Sequence, residues 1–359
     1  MCGERRRVGT PNSSTMTSST PPSKELPRES MKLIFKHMNV NSRIRLAHKI
    51  PSLRPIEAST PLNVDQLTFK TNQIIINNTI FKVDNYEPAC FFDKTNLKIE
   101  GSPYLKLSMK SGRHSKVERI VNDRDFTETM LYLAKKLFEG RVMPITVKYL
   151  SISKKDSTAF LPDDLRLAVR DIKIDHNAVK TLESIKPYLH ESSLPFDTVF
   201  ISGTRMRQED TDYIHPWIQT ANFVQILDKS KHSTWLHTIL EMDICQVHLE
   251  CQAFQRTEVC VVIDEWIENG REDGTWFSFG VRTVDDIKHL LVGLSGKQGA
   301  VVEQSEMLGC KEYPGVLRIP LKSQESSVGI YVTKNSERKS ETKFFSPFDI
   351  NLFVFSTRK

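Results

Sequence analysis

Cysteine and histidine crowd one short stretch of the chain: Cys245, His248, Cys251 and, a little further on, Cys260. Thiolates and an imidazole bind zinc when four of them converge tetrahedrally. The intervening residues argue against convergence. Ile244 to Leu249 reads as a strand, so Cys245, Val247, Leu249 and Cys251 share one face while His248 shares the other with Gln246 and Glu250. The cysteines are therefore expected to be core thiols. A second stretch, GLSGKQG at Gly293–Gly299, has the glycines and lysine of a phosphate loop. Its spacing is too short, no Ser or Thr follows Lys297, and it follows a helical pattern instead of joining a strand to one. A helix C-terminal turn is expected there. The carboxylate pairs Asp264-Glu265 and Asp285-Asp286 fall at helical positions suited to solvated faces or first turns. Trp266 and Trp276 could anchor a peptide, although buried packing is the commoner use of aromatics at periodic positions. No nucleophile elbow, metalloprotease helix or dinucleotide fingerprint occurs. The chain is expected to be a binding protein and not an enzyme, with no catalytic, cofactor-binding or metal-ligating residues and no cofactor.

Composition narrows the class further. The 359 residues suffice for one elongated domain or two compact ones, with an ordinary 39% of apolar residues. A net charge of +6 is mild, and the basic residues are spread among acidic ones, so nucleic acid is not an expected partner. No apolar run approaches the roughly 20 residues of a membrane span, and the residues before Ser30 are polar. Neither a membrane partner nor a secretory signal is expected, and the protein is placed in the cytoplasm or nucleus. The scattered cysteines fit reduced thiols.

The elements that would carry any site are organised around residues 169–203. Ile172 and Ile174 alternate with Asp171, Lys173 and Asp175, the period of a half-buried strand. Val179, Leu182, Ile185 and Leu189 then recur at helical spacing after Asn177, a suitable N-cap. Thr198 to Ser202 returns to a strand, with Val199 and Ile201 on one face and Thr198 and Phe200 on the other. The first of these strands is expected over 167–174, and further strands at 145–152, 223–227, 244–249 and 276–281, with helices at 127–138, 214–220, 235–240, 259–269 and 283–294. That spacing implies an α/β, leucine-rich-repeat-like βα solenoid over 127–300. Ahead of it lie a disordered tail over 1–28 that includes Arg5-Arg6-Arg7, two short helices within 29–57, and a small β-rich segment over 58–126. In that segment Asn77-Asn78 is expected to turn a hairpin; residues 86–121 mix Pro, Gly, Lys and Ser with isolated apolars, and SMKSGRHSKVER within them is expected to form a basic loop. Ser30 would cap the first helix and Asn41 or Ser42 the second. Residues 301–359 read as an antiparallel β cap, with strands at 316–320, 328–333 and 348–355.

The helices within 29–57 add a likeness. Leu26-Pro27, Ile34, Met38, Arg45 and Leu46 occupy places comparable to those of an F-box. With PSLRPIE, ITVKYLSI at Ile145 and VIDEWIENGREDGTWFSFGV at Val262, the chain from about Ser30 to Phe355 resembles a nematode-expanded family of uncharacterised F-box-associated proteins. The resemblance implies a substrate receptor. Leu26, Pro27, Ile34, Met38 and Leu46 would dock the adaptor of a cullin-type ubiquitin ligase, and the repeats would hold a protein target. Pro51-Ser52-Leu53 stands where an F-box usually has a bulky Trp. The alternative is a repeat scaffold or peptide-binding protein with no ligase role, its N-terminal helices only capping the solenoid.

Overall fold

The computed structural model describes residues 26–85, 105–112, 114–121, 125–153, 155–175, 177–203, 215–229, 235–304, 310–322, 325–335 and 346–356. Nearly all of the expected N-terminal tail, with Arg5-Arg6-Arg7, lies outside them. The chain opens with α1 (Arg28–His37) and α2 (Val40–Lys49), then a 3-10 turn at Pro51–Leu53 and α3 (Arg54–Ala58). The caps differ from expectation. Pro27, with extended backbone and no side-chain cap, precedes α1, so Ser30 lies inside the helix. Asn39 caps α2 by accepting from the amides of Asn41 and Ser42. The short α3 was not expected from sequence, where Pro51 ends the second helical pattern. Proline is equally at home in a first helical turn, which is where Pro51 and Pro55 stand. Met31, Ile34, Phe35 and Met38 recur at helical spacing along α1 and its C-cap, but only Phe35 is buried.

An antiparallel meander follows: β1 (Asn63–Lys70), β2 (Gln73–Ile76), β3 (Thr79–Asn85), β4 (Leu105–Ser111) and β5 (His114–Val121). Asn77 turns β2 into β3 with φ 51°. The strands β4 and β5 replace the basic loop expected there. In β4, Leu105, Leu107 and Met109 are buried and alternate with Lys106, Ser108 and Lys110. Ser108 and Lys110, read by composition as part of that loop, lie with Lys106 on the outer face of a strand, and Gly112 with φ 57° carries the turn. Residues 86–104 and 113 of that stretch lie outside the described residues.

The chain then alternates between helix and strand: α4 (Phe126–Phe138), β6 (Ile145–Ile152), β7 (Leu167–Asp175), α5 (Ala178–Ile185), β8 (Thr198–Gly203), α6 (Pro216–Gln219), β9 (Phe223–Asp228), α7 (Trp235–Glu241), β10 (Gln246–Cys251), α8 (Arg256–Asn269), β11 (Trp276–Val281) and α9 (Val284–Ser295). It ends in β12 (Val301–Gln304), β13 (Gly315–Pro320), β14 (Ser326–Lys334) and β15 (Phe348–Ser356). The strand β12 was not expected from sequence; all four of its residues are exposed, as on a sheet edge.

Among the described residues all strands join one open 15-stranded sheet of a mixed α/β protein. Its order is β12-β13-β14-β15-β11-β10-β9-β8-β7-β6-β1-β2-β3-β4-β5. The centre is parallel: β6 to β11 lie side by side in chain order, with β1 parallel to β6. Both flanks are antiparallel, and β15 returns from the far end of the chain to pair with β11.

One spacing recurs through the parallel centre. Leu62, Val64, Leu67 and Phe69 lead into and along β1, and all are buried. Ile145, Val147, Leu150 and Ile152 repeat the spacing in β6, Leu167, Val169, Ile172 and Ile174 in β7, and Met242, Ile244, Val247 and Leu249 at β10, again all buried. The step of three in each quartet breaks strict alternation, so a period-2 search sees only its second half. On α5 the buried residues are Ala178, Thr181, Leu182 and Ile185, whereas Val179 and Leu189, expected in the core, are half-buried.

Candidate functional site

Burying one face of the parallel strands leaves the other to solvent. Register aligns that face into rows. One row runs unbroken through paired neighbours Ser151, Lys173, Phe200, Gln225, His248, Ser278, Asn351 and Tyr331. Beside it lie Tyr149, Asp171, Thr198 and Phe223, and the paired Gln246, Trp276 and Phe353. Tyr149, Phe200, Phe223, Trp276, Tyr331 and Phe353 are half-buried, with ring surface left uncovered. Their rings are braced from the side. Tyr149 meets Phe200 edge-on at 5.8 Å between centroids, Phe223 meets Trp276 at 6.1 Å, and Trp276 Nε1 donates to Tyr331 Oη at 3.3 Å. Rigid aromatics held this way can be desolvated by a partner at little entropic cost.

The polar groups of this face are local. Lys173 lies 3.6 Å from Asp175, whose Oδ1 accepts from Ser202 Oγ at 2.5 Å. Burial, reinforced by Asp175 and Asp171, pushes the Tyr149 phenol up to about 12, so it remains a neutral donor at physiological pH.

At the β10–β15 end the face closes over a polar cluster. His248 and Glu250 project from β10 and Asp349 from β15; they are 2%, 3% and 5% exposed, and their candidate ligand atoms lie within 4.8 Å of one another. Ser278 Oγ is 3.2 Å from His248 Nδ1, and Ser346 donates to Glu250 Oε1 through its amide at 3.0 Å and its hydroxyl at 2.6 Å. Gly280 lies between the two carboxylates in the sheet, and a Cβ there would stand 2.5 Å from Glu250 Oε2. Among the described residues this is the group whose donors, one imidazole and two carboxylates, could hold a divalent cation. Sequence placed His248 and Glu250 on one face but offered no signal for Asp349, which antiparallel pairing brings in from the other end of the chain.

The cysteines do not join it. Of the expected core thiols only Cys251 is buried, its Sγ 3.8 Å from Asp228 Oδ2; Cys260 is half-buried on α8, and Cys245, one residue ahead of β10, is exposed. Burial pushes the Cys251 thiol up to about 11 and that of Cys260 up as well. Lys297 of the glycine-rich turn forms an ion pair with Asp264, and Thr283 caps α9 by accepting from the Asp286 amide at 3.1 Å. The two tryptophans separate: Trp266 is fully buried, whereas Trp276 lies on the open face.

The five residues expected to dock an adaptor are divided. Leu26 is 57% and Ile34 47% exposed, Pro27 is exposed, and Met38 and Leu46 are half-buried. Leu33, which sequence did not single out, is 59% exposed on the same helix as Ile34. Both α1 and α2 pack on α3.

Residues 125–283 match a family described only as a domain of unknown function (DUF3557). The match begins at the N-cap of α4 and ends at the N-cap of α9, so it spans β6 to β11. No curated protein and no solved structure matches the chain.

Proposed function

We propose that the protein is a non-enzymatic protein-binding module, built as a leucine-rich-repeat-like βα solenoid whose open sheet face holds a protein target. The observation that carries this reading is the set of braced, half-buried aromatics on that face. Parallel strands in chain order and the recurring buried quartets support the solenoid. Capture from cell extract with the full chain and with a Phe223→Ala/Trp276→Ala variant tests it. The specific partner should be lost, and once purified should bind the variant about 30-fold more weakly, as expected of central aromatic anchors. A partner held equally by both chains would sink the proposal.

The more specific role is an F-box-type substrate receptor of a cullin ubiquitin ligase. It is favoured by Leu26, Leu33 and Ile34 on and beside α1, apolar side chains that the other described residues leave uncovered. The wild-type chain should bind the purified ligase adaptor, and Leu33→Asp/Ile34→Asp should abolish binding without altering thermal unfolding. If the wild-type chain fails to bind, the protein is a repeat scaffold or peptide-binding protein with no ligase role.

A further inference from the structure

A groove of about 350 Å³ opens between α2, the β3–β4 strands and α4, on the opposite side of β1 from the parallel repeats. Its floor is apolar, formed by Ile44, Phe81, Leu107, Met109, Leu133 and Leu137, each at most 8% exposed. Its rim is cationic. Arg45, His48 and Lys49 from α2 face Lys136 from α4, and no lining residue is acidic among the described residues. The Lys136 ammonium also lies 5.4 Å from the centre of the Tyr132 ring.

A smaller hollow continues from it, sharing Ile44, His48, Lys136 and Leu137 and adding Arg54 and Arg141 together with the carboxylates Glu57 and Glu139. The Arg141 side chain is only 8% exposed. Its Nη2 donates to Glu57 Oε1 at 2.9 Å, while Nε and Nη1 are buried with no hydrogen-bond partner among the described residues. Buried guanidinium donors left over in this way are costly unless an acceptor reaches them. The hollow thus adds, independently of the rim, unspent capacity for an anion.

We propose that this groove binds a small anionic amphiphile, an alkyl carboxylate. The carboxylate sits at the His48–Lys136 end, where the two hollows meet, and the alkyl chain lies over Phe81, Leu107 and Met109. A single alkyl chain suits the site better than a peptide. The volume is that of a small-molecule pocket, and a peptide backbone laid on this floor would lose its hydrogen bonds to water without gaining others.

Titration calorimetry on the full chain with decanoate tests the proposal, with acetate, decanol and decylamine as controls. Decanoate should bind one-to-one, and each control should bind at least tenfold more weakly, because acetate lacks the chain, decanol the charge, and decylamine the sign. The Arg45→Glu/Lys49→Glu variant changes only exposed side chains and should keep its thermal unfolding curve. It should bind decanoate about tenfold more weakly, because two rim cations beside the carboxylate end become anions. Absence of decanoate binding at millimolar concentration, equal binding of decanol or decylamine, or undiminished binding by the variant would each overturn it.

Discussion

Replacing Arg43 by alanine is expected to destabilise the N-terminal helices by about 3–5 kcal/mol, the cost of breaking a buried ion pair by removing one partner. The Arg43 side chain is 2% exposed and ties α2 to α3 and to the segment that follows it. Its Nε donates to Glu57 Oε1 at 2.7 Å, its Nη1 to the Pro61 carbonyl at 2.6 Å, and its Nη2 to the carbonyls of Glu57 and Thr60. Desolvation lowers the Arg43 pKa from its usual value and the Glu57 carboxylate opposes that fall, so the pair tolerates burial only as a unit. Truncation would leave three carbonyls without this donor and the buried Glu57 carboxylate with Arg141 as its one remaining cation among the described residues. Arg43→Lys should not restore stability, because an ammonium cannot span acceptors arranged for a planar fork. Urea unfolding, together with limited proteolysis across residues 38–60, reads both effects. A loss below about 1 kcal/mol would mean that the network is not a main tie between the helices and the sheet.

The second large effect belongs to the far half of the sheet. Trp266 of α8 is fully buried and packs edge-on against Phe277 of β11, 5.0 Å between ring centres. Trp266→Ala should cost about 3–5 kcal/mol, the range for emptying a buried aromatic site. Trp266→Phe should behave differently. The indole Nε1 is buried without a hydrogen-bond partner among the described residues, so phenylalanine removes an unsatisfied donor while leaving only a small void. The two changes offset each other, and the variant should lie within about 1 kcal/mol of wild type. Thermal unfolding of both variants checks this. A Phe variant as damaged as the Ala variant would show that the indole makes a hydrogen bond after all.

Sequence was a reliable guide wherever burial is one-sided and apolar. The strands at 145–152 and 276–281 were placed to the residue, and those near 167, 198 and 223 to within one residue at either end, because their inward positions are Val, Ile, Leu or Phe and their outward ones are mostly polar or aromatic. It failed where a residue type serves an uncommon position. Lys106, Ser108 and Lys110 look like a loop until Leu105, Leu107 and Met109 are seen packed on the other side of the strand. Arg43 counts as one more surface cation until Glu57 is found beside it in the interior.

Of the candidate sites, sequence by itself determined the ingredients: that Phe200 faces away from Val199 and Ile201, that His248 and Glu250 share a face, and that the cysteines around them do not converge with them. Only the tertiary structure decided which ingredients meet. Register between strands distant in sequence aligned Tyr149 with Asp171 and Trp276 with Phe353, and the return of β15 beside β11 brought Asp349 to His248. The groove between α2, β4 and α4 arises in the same way from three segments that share no motif. The physical reason is common to all of these. Local periodicity is set by the backbone geometry of a single element, whereas pairing register and helix placement are set by the summed burial of the whole core, to which every strand contributes and which no short stretch encodes.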